Sequence, residues 1–242
     1  QALARHPVKA CLFMPSCQNP LGASMPESNK RQLVELLARA GIPLIEDDAF
    51  GDLTFERPRP KAAKAFDRDG NILYCSSFAK VLGPGQRIGW VAPGRYWASV
   101  AYLQSIFHGL AAPVWQQQGM AEFLAGRRYA RTVDHAIRVY KKRLMAMRQW
   151  VREYFPEGTR VTHPRGGFTL WVELPNTVDV MELHRRALEQ GIGFSPGMLF
   201  SPTWGYTHHI RLCCGGSTDW NRIEPAMAML GQLATAIMHA ER

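Results

Sequence analysis

Three short apolar runs, each followed by polar residues, constrain the fold of this chain more than any other feature of its sequence. The runs occupy residues 10–14, 42–45 and 72–75, and the last continues through Ser76 and Ser77 as a predicted strand over residues 72–77. Each has the length and composition of a buried strand. Asn19, Asp47 and Lys80 follow the runs in turn, at separations of 28 and 33 residues. Since these separations leave room for a helix each time, the sequence predicts an α/β fold built from βα repeats of a parallel sheet.

The segments around these runs carry helical signals. Leucines at helical spacing predict a helix over residues 27–40, with Pro26 at its start and Gly41 as its stop. Residues 97–107 and 114–124 are apolar enough to form packed helices. Their Met and Trp side chains are expected to belong to the core.

A long helical stretch after Gly126 divides the chain. It reaches about Tyr154, and a pattern of strands and helices follows it, with a last helix over residues 220–239. With 242 residues and 46% hydrophobic content, the chain is long enough to bury a core in two lobes. The expected parts are residues 1–126 of a large domain, a connecting helix over 127–155 and a small C-terminal domain over 156–242.

The stretch over residues 76–90 places one lysine between two groups that bind anions. Ser77 lies three residues before Lys80, and Arg87 lies seven residues after it. A Gly-Pro-Gly turn at residues 83–85 lets the backbone close around a phosphate. A lysine near a glycine turn is by itself most often a solvated surface residue. In this setting, it suits covalent bonding to an anionic aldehyde.

This stretch closely resembles the Schiff-base signature of the pyridoxal 5'-phosphate (PLP) enzymes of the class I aminotransferase family. The resemblance implies PLP as cofactor, Lys80 as the catalytic lysine that forms the Schiff base, and Ser77 and Arg87 as ligands of the phosphate. It also implies the fold of these enzymes, an α/β fold whose mainly parallel sheet has helices on both faces, with a smaller C-terminal α+β domain. Residues 1–126 would then be part of the large PLP-binding domain.

Two further positions match cofactor ligands of this family. Asn19 follows the first predicted strand, and the matching asparagine of the family hydrogen-bonds the phenolic oxygen of PLP. The family's Asp-x-x-Tyr pattern matches Asp47 with Phe50, which implies that Asp47 pairs with the pyridine nitrogen and keeps it protonated. Asp48 and Glu46 stay open as alternatives, because a shift of one residue turns a strand side chain to the opposite face.

Arg211 lies in a predicted strand near the end of the chain, where polar and apolar residues alternate. A structural salt bridge is the plain interpretation of such an arginine. In class I aminotransferases, the arginine in this setting binds the substrate α-carboxylate, and a planar guanidinium suits a carboxylate bidentately. The resemblance therefore implies an amino acid or another amino compound as ligand.

Phe50 departs from the tyrosine that is usual in the family, whose hydroxyl also donates to the phenolic oxygen of PLP. A phenyl ring has no such donor. Losing this hydrogen bond destabilises the deprotonated Schiff base, so we expect the Schiff-base pKa to be higher than in relatives with the tyrosine. A pH titration of the visible spectrum measures this pKa, and an unusually low value would contradict the expectation.

Almost all of the net positive charge lies in the long predicted helix. Between Arg127 and Arg152 there are nine Lys or Arg residues and one acid, Asp134, a local charge of +8 in a chain of +9. The simplest interpretation of this charge is a solvated helix face. The more specific interpretation is a surface that binds nucleic acid or an acidic partner. Because the sequence contains no DNA- or RNA-binding motif, DNA would be bound only through a domain absent from this chain.

Two function classes fit the resemblance. One is a free-standing PLP-dependent aminotransferase that acts on an amino acid, with Lys80 also moving a proton. The other is a transcription regulator of the MocR type, in the GntR group, which joins a winged helix-turn-helix domain to an aminotransferase-like effector domain. Residues 75–90 and 194–200 look more like MocR-type effector domains. This likeness favours a domain that senses PLP or an amino compound, and an inactive scaffold is the third interpretation.

The remaining expectations concern environment, assembly and length. Five cysteines without CxxC spacing, and no secretion signal, indicate reduced thiols in the cytoplasm and no structural metal site. No run approaches the roughly 18 apolar residues that span a bilayer. The family builds its sites at a subunit interface, which implies a homodimer. Because the first family motif begins near residue 13, the chain is expected to be N-terminally truncated and to lack the phosphate cup and the ring-stacking residue.

Overall fold

A computed structural model describes residues 2–107, 112–216 and 219–240. Seven helices and eight strands are assigned within these residues. The helices are α1 (Ala2–Arg5), α2 (Glu27–Arg39), α3 (Trp97–Ile106), α4 (Val114–Ala125), α5 (Arg128–Tyr154), α6 (Val180–Glu189) and α7 (Ile223–Ala240). The strands are β1 (Cys11–Phe13), β2 (Leu44–Asp47), β3 (Ile72–Ser77), β4 (Gly89–Ala92), β5 (Arg160–Val161), β6 (Thr169–Glu173), β7 (Ser195–Pro196) and β8 (His209–Cys213).

The chain forms two compact units. The first unit comprises Gln1–Gln18 and Ala23–Ile137, and the second comprises Asn19–Gly22 and Arg138–Arg242. The boundary therefore falls inside α5, which contributes residues to both units. The division into residues 1–126, 127–155 and 156–242 stays a prediction.

The first unit contains a four-stranded sheet in the order β1-β2-β3-β4. The pairs β1-β2 and β2-β3 are parallel, while β4 pairs antiparallel with β3. Helix α2 connects β1 to β2, and its buried side chains pack in one cluster with residues of the sheet. This cluster contains Val34, Leu37, Leu44, Ala63 and Ile72. The sequence therefore predicted correctly an α/β fold in which the first three strands are parallel.

Two expectations for the first unit were wrong. No α-helix lies between β2 and β3, where the described residues form only 3-10 turns at Gly51–Leu53 and Ala63–Phe66. Pro58 and Pro60 explain this, because proline interrupts an α-helix. The tryptophans of α3 and α4 are also not core residues, since Trp97 is 66% exposed and Trp115 is 84% exposed. Apolar composition alone did not tell which helix faces are covered.

The second unit contains an antiparallel sheet in the order β5-β6-β8-β7. Strand β6 is buried over four of its five residues, and Val172 faces Ile210 of β8 in the register. Helix α6 is capped by Asp179, whose carboxylate accepts hydrogen bonds from the amides of Met181 and Glu182. This cap satisfies two of the four amides that a helix start leaves unpaired. Because β8 pairs with both β6 and β7, the sheet fixes the strand that carries Arg211.

Close packing of α7 against the end of α5 depends on Gly231. A Cβ atom at this position would overlap the backbone carbonyl of Tyr154. We therefore expect Gly231→Ala to lower the free energy of unfolding by roughly 1–3 kcal/mol, since overpacking forces the backbone to shift. Chemical denaturation measures this change. In the control, Gly119→Ala in α4, the added methyl meets nothing within 4 Å, so about 0.5–1 kcal/mol of stabilisation is expected. Equal effects of the two substitutions would contradict this account of the packing.

Within residues 2–107, 112–216 and 219–240, no helix is both long enough and apolar enough to span a membrane.

Candidate functional site

The three acids at the end of β2 have different surroundings. Glu46 is buried and accepts hydrogen bonds from the amides of Ala63 and Lys64, at 2.7 and 2.8 Å. Burial raises the pKa of Glu46, and these two hydrogen bonds act against the increase. Glu46 therefore anchors the 3-10 turn at Ala63–Phe66, and its carboxylate is engaged away from any ligand.

Asp48 is held by a buried polar network. Its carboxylate forms an ion pair with Arg59 and accepts a hydrogen bond from the Tyr74 hydroxyl at 2.6 Å. Arg59 also pairs with Asp52, which accepts a hydrogen bond from the hydroxyl of Tyr129. Burial opposes the charge of Arg59, but the carboxylates of Asp48 and Asp52 raise its pKa above the usual range. The Asp48 carboxylate is thus engaged by Arg59 and Tyr74.

Asp47 differs from both neighbours because its described contact is local. Its Oδ1 accepts a hydrogen bond from the amide of Ala49 at 3.0 Å, and its side chain is half-buried. Cys75 of β3 is its partner in the strand register. Burial, together with the charge of Asp47, raises the pKa of the Cys75 thiol, as expected for two side chains on one face of the sheet. Of the three acids, Asp47 retains a carboxylate that can pair with a ligand cation.

Lys80 ends the short turn that follows β3. This turn is a single 3-10 segment, Phe78–Lys80. The side chain of Lys80 is exposed, and its Nζ lies 5.5 Å from the centroid of the buried Phe50 ring. Among the described residues, the Lys80 amine makes no hydrogen bond or ion pair. It is therefore available to react with a carbonyl compound.

Ser77 and Arg87 lie in the same hairpin as Lys80. The antiparallel register of β3 and β4 sets Ser77 opposite Gly89. A Cβ at Gly89 would lie 3.3 Å from that of Ser77, so glycine permits this close approach. The backbone turns through Gly83, with φ of 119°, and Arg87, with φ of 51°. Positive φ values of this kind in a non-glycine residue are uncommon and mark special turns.

The residues of the first unit fit the chemistry of PLP. The donors at the hairpin are a hydroxyl, a guanidinium and backbone amides, which suit a phosphate. The guanidinium of Arg87 has no acid partner among the residues with described structure. Asp47 has no cation partner there either. A cofactor with an anionic phosphate and a cationic ring nitrogen would complement both charges.

In the second unit, Arg211 is held by neutral partners. Its guanidinium donates to Oδ1 of Asn19 and to Oγ of Ser195, each at 3.0 Å. The guanidinium also lies 4.9 Å from the centroid of the Phe200 ring. Its Nε is buried without a hydrogen-bond partner among the described residues. Because neither partner is an acid, the positive charge of Arg211 is not neutralised by them, which contradicts a structural salt bridge and suits a ligand carboxylate.

The structure thus brings the predicted residues together in two groups. The first unit groups Asp47, Ser77, Lys80 and Arg87 at the ends of β2 and β3, and the second unit joins Asn19 to Arg211. Sequence reasoning missed the Ser195 and Phe200 contacts of Arg211 and the network around Arg59. Ser195 lies in the segment 194–200 that the sequence singled out, and it faces Arg211 in the register of β7 and β8. No sequence signal connects Arg59 with Asp48.

The chain is similar to a known family and to several curated proteins. The family model for aminotransferase class I and II matches residues 1–227. Two relatives are the uncharacterized HTH-type transcriptional regulators YjiR and YdcR of Escherichia coli (strain K12). YjiR is 38% identical, and the match covers 88% of this chain and 45% of YjiR. YdcR is 37% identical, and the match covers 96% of this chain and 49% of YdcR. The chain therefore spans about half the length of these curated relatives.

Among solved structures, LysN, the alpha-aminoadipate aminotransferase of Thermus thermophilus, superposes with a TM-score of 0.88 at 27% identity. The match covers 98% of this chain and 61% of LysN, which was crystallised with N-(5'-phosphopyridoxyl)-L-leucine. This likeness confirms the predicted fold, that of the PLP-dependent aminotransferases. Together with the family match, it confirms PLP as the cofactor predicted from the sequence. The chain belongs to the aminotransferase class I and II family.

Proposed function

We propose that this chain is the PLP-binding, aminotransferase-like effector domain of a transcription regulator of the MocR type, in the GntR group. The observation that carries the proposal is the Lys80 amine, which lacks a hydrogen bond or ion pair among the described residues and shares a hairpin with Ser77 and Arg87. The likeness to HTH-type regulators such as YjiR supports the regulator class. In this role, the domain senses PLP or an amino compound.

Each residue of the site has a separate task in this proposal. Bound PLP supplies an aldehyde and an electron-withdrawing ring. Lys80 would hold PLP covalently through its Nζ, and the same atom would hold or transfer a proton. Ser77 and Arg87 hold the phosphate. Asp47 holds a proton on the ring nitrogen by its negative charge.

The second unit supplies the remaining two tasks. Asn19 would offer its amide nitrogen as a donor to the phenolic oxygen of PLP, while its Oδ1 accepts from Arg211. Arg211 binds the carboxylate of an amino acid. Sequence-specific DNA recognition is assigned to a helix-turn-helix domain outside this sequence.

We further propose a cytoplasmic homodimer. The assignment rests on the cysteine pattern of the sequence and on the subunit-interface sites implied by the family resemblance. Residues 1–126 would be part of the large PLP-binding domain, 127–155 a connecting helix and 156–242 the small domain.

A titration with PLP tests the proposal. The purified full-length protein that contains this chain is mixed with PLP, the visible spectrum is recorded, and the mixture is reduced with borohydride before intact-mass analysis. A spectral shift and a reduced adduct of one PLP per chain are expected. Absence of both would instead identify an inactive scaffold.

The alternative function is a free-standing aminotransferase that acts on an amino acid. The TM-score of 0.88 with LysN favours it, because the fold elements of an active aminotransferase are present. Release of a keto acid when amino acids are added to the PLP-loaded protein would support this alternative. A regulator without turnover should instead show an amino-compound-dependent change in the DNA affinity of the whole protein.

The role of Arg211 leads to a specific prediction. Arg211→Gln should weaken binding of an amino acid by roughly 1.5–3 kcal/mol, which is about ten- to a hundredfold, because charge-assisted hydrogen bonds to the carboxylate are lost. The matching amine without a carboxylate should bind unchanged. Spectral titration of the PLP-loaded variant measures both affinities. Arg222→Gln removes an exposed arginine of the same unit as a control. An equal loss for the amine would show that Arg211 acts only on the structure.

A further inference from the structure

The outward face of the second half of α5 carries a row of cations. We call Arg138, Lys141, Lys142 and Arg152 the basic stripe. All four are exposed, and their spacing places them on one side of the helix. Leu144, Met147 and Val151 are buried on the opposite side. Arg138 and Arg152 are 14 residues apart, which gives the stripe a length of about 21 Å at about 1.5 Å per residue.

The charges of the basic stripe are not neutralised within the described chain. None of the four side chains makes a hydrogen bond or ion pair with a residue that the structure describes. Other arginines of the same unit do have acid partners. Arg185 pairs with Glu182 and Glu189, Arg186 pairs with Glu182, and Arg160 pairs with Glu173. The exposed Glu153 follows Arg152 in the helix, but it forms no ion pair with any of the four cations in the described part of the chain.

The other two basic residues in this half of α5 have structural roles. Arg143 donates to the carbonyl of Cys214 and stacks over the Trp220 ring. Arg148 donates to the carbonyl of Thr162. Burial and the nearby charge of Arg152 lower the pKa of Arg148. The four residues of the basic stripe thus remain as the exposed, unneutralised set.

We propose that the basic stripe binds the phosphate backbone of duplex DNA without reading its sequence. Duplex DNA carries one negative charge per about 1.7 Å of its axis, so each cation of the stripe can lie near a phosphate, three at residues 138–142 and one at Arg152. This inference rests on the proposed regulator function and goes beyond it. The helix-turn-helix domain outside this sequence selects the site, and the basic stripe adds affinity that is independent of sequence.

The composition of this face favours DNA over an acidic protein. Between the cations lie only Met145 and Gln149. Protein interfaces are enriched in aromatic and apolar side chains at their centre, which this face lacks apart from Met145. Single-stranded nucleic acid would require aromatic side chains for base stacking. Phosphate contacts with duplex DNA need only cations.

The salt dependence of DNA binding tests this proposal. Arg138→Gln, Lys141→Gln and Lys142→Gln are combined in one variant of the full chain, and binding to a labelled duplex of arbitrary sequence is followed by fluorescence anisotropy. Each lost phosphate contact lowers the slope of log K against log salt by about one. We expect the slope to fall by about three, equally for two duplexes of unrelated sequence.

A charge-matched variant provides the control. Arg160→Gln, Arg185→Gln and Arg186→Gln together remove three cations that have acid partners, two of them exposed and Arg186 half-buried. An unchanged slope in this variant supports the proposal. An equal fall in both variants would assign the binding to net charge and overturn it. An unchanged slope in the stripe variant would also overturn the proposal. So would polyglutamate that competes more strongly than unlabelled duplex at equal charge.

The reducible PLP adduct is measured on the same samples. If the stripe variant keeps the PLP adduct but its salt slope is unchanged, the result overturns DNA binding by the basic stripe and leaves the proposed PLP binding intact. An adduct missing from the wild-type chain counts against the proposed function itself.

Discussion

Replacing Lys80 with alanine is expected to abolish the covalent adduct between this chain and PLP. The amine of Lys80 is exposed and makes no hydrogen bond or ion pair with the described residues, so we propose it as the nucleophile of the hairpin that carries Ser77 and Arg87. Without it, PLP has no amine at that position with which to condense. The visible spectrum of the mixture should remain that of free PLP.

Two further variants separate chemistry from charge. Lys80→Arg keeps a positive charge but cannot form a Schiff base, so it should also lose the spectral shift while retaining some phosphate attraction. Lys9→Ala removes another exposed lysine and should behave like the unaltered chain. A full spectral shift in Lys80→Ala would move the covalent bond to a different lysine.

The second large effect is expected at the buried pair of Arg59 and Asp48. The side chain of Asp48 has 0% exposure, and that of Arg59 has 32%. Arg59→Ala leaves a buried carboxylate without its cation, and such a loss typically costs about 3–5 kcal/mol of unfolding free energy. The Tyr74 hydroxyl remains as a donor to Asp48 but cannot neutralise its charge. Chemical denaturation of the variant measures the loss.

Arg57→Ala is a matched control in the same segment. Arg57 pairs with Asp134 at 3.3 Å, with side-chain exposures of 46% and 55%. Exposed pairs of this kind contribute about 0–1 kcal/mol. If Arg59→Ala cost no more than Arg57→Ala, Asp48 would have to be solvated or neutral in the folded chain, and the network would not stabilise the end of β2.

The sequence predicted the strands of the first sheet and the long helix because their patterns are local. Apolar runs located β2 and β3 to within a few residues, and periodic leucines located α2. The strand ends therefore located the regions of Asp47, at the end of β2, and of Lys80, after β3, while the family resemblance singled out these two residues. The PLP cofactor and the family followed from the short signature around Lys80.

Other features of the site depend on contacts that no local pattern encodes. Arg211 meets Asn19 across 192 residues, and only the fold brings them together. Arg59 lies in an irregular segment with two nearby prolines, where neither helical nor strand periodicity shows which side chains turn inward. The choice between Asp47, Asp48 and Glu46 also needed the structure, because it depends on which carboxylates already have buried partners.

The exposed tryptophans show a further limit of sequence patterns. Helix α3 is apolar on all sides, so its composition predicted burial, yet its described residues include none that is buried. An amphipathic helix such as α6 reveals its covered face in the sequence, whereas a uniformly apolar helix does not.

The central claim is that PLP bonds to this chain at Lys80, and peptide mapping tests it most directly. The wild-type chain is incubated with PLP, reduced with borohydride, digested and analysed by mass spectrometry. The account predicts that the phosphopyridoxyl group is found on the peptide that contains Lys80. A label on another lysine, such as the buried Lys30, or no label on any peptide, would contradict it.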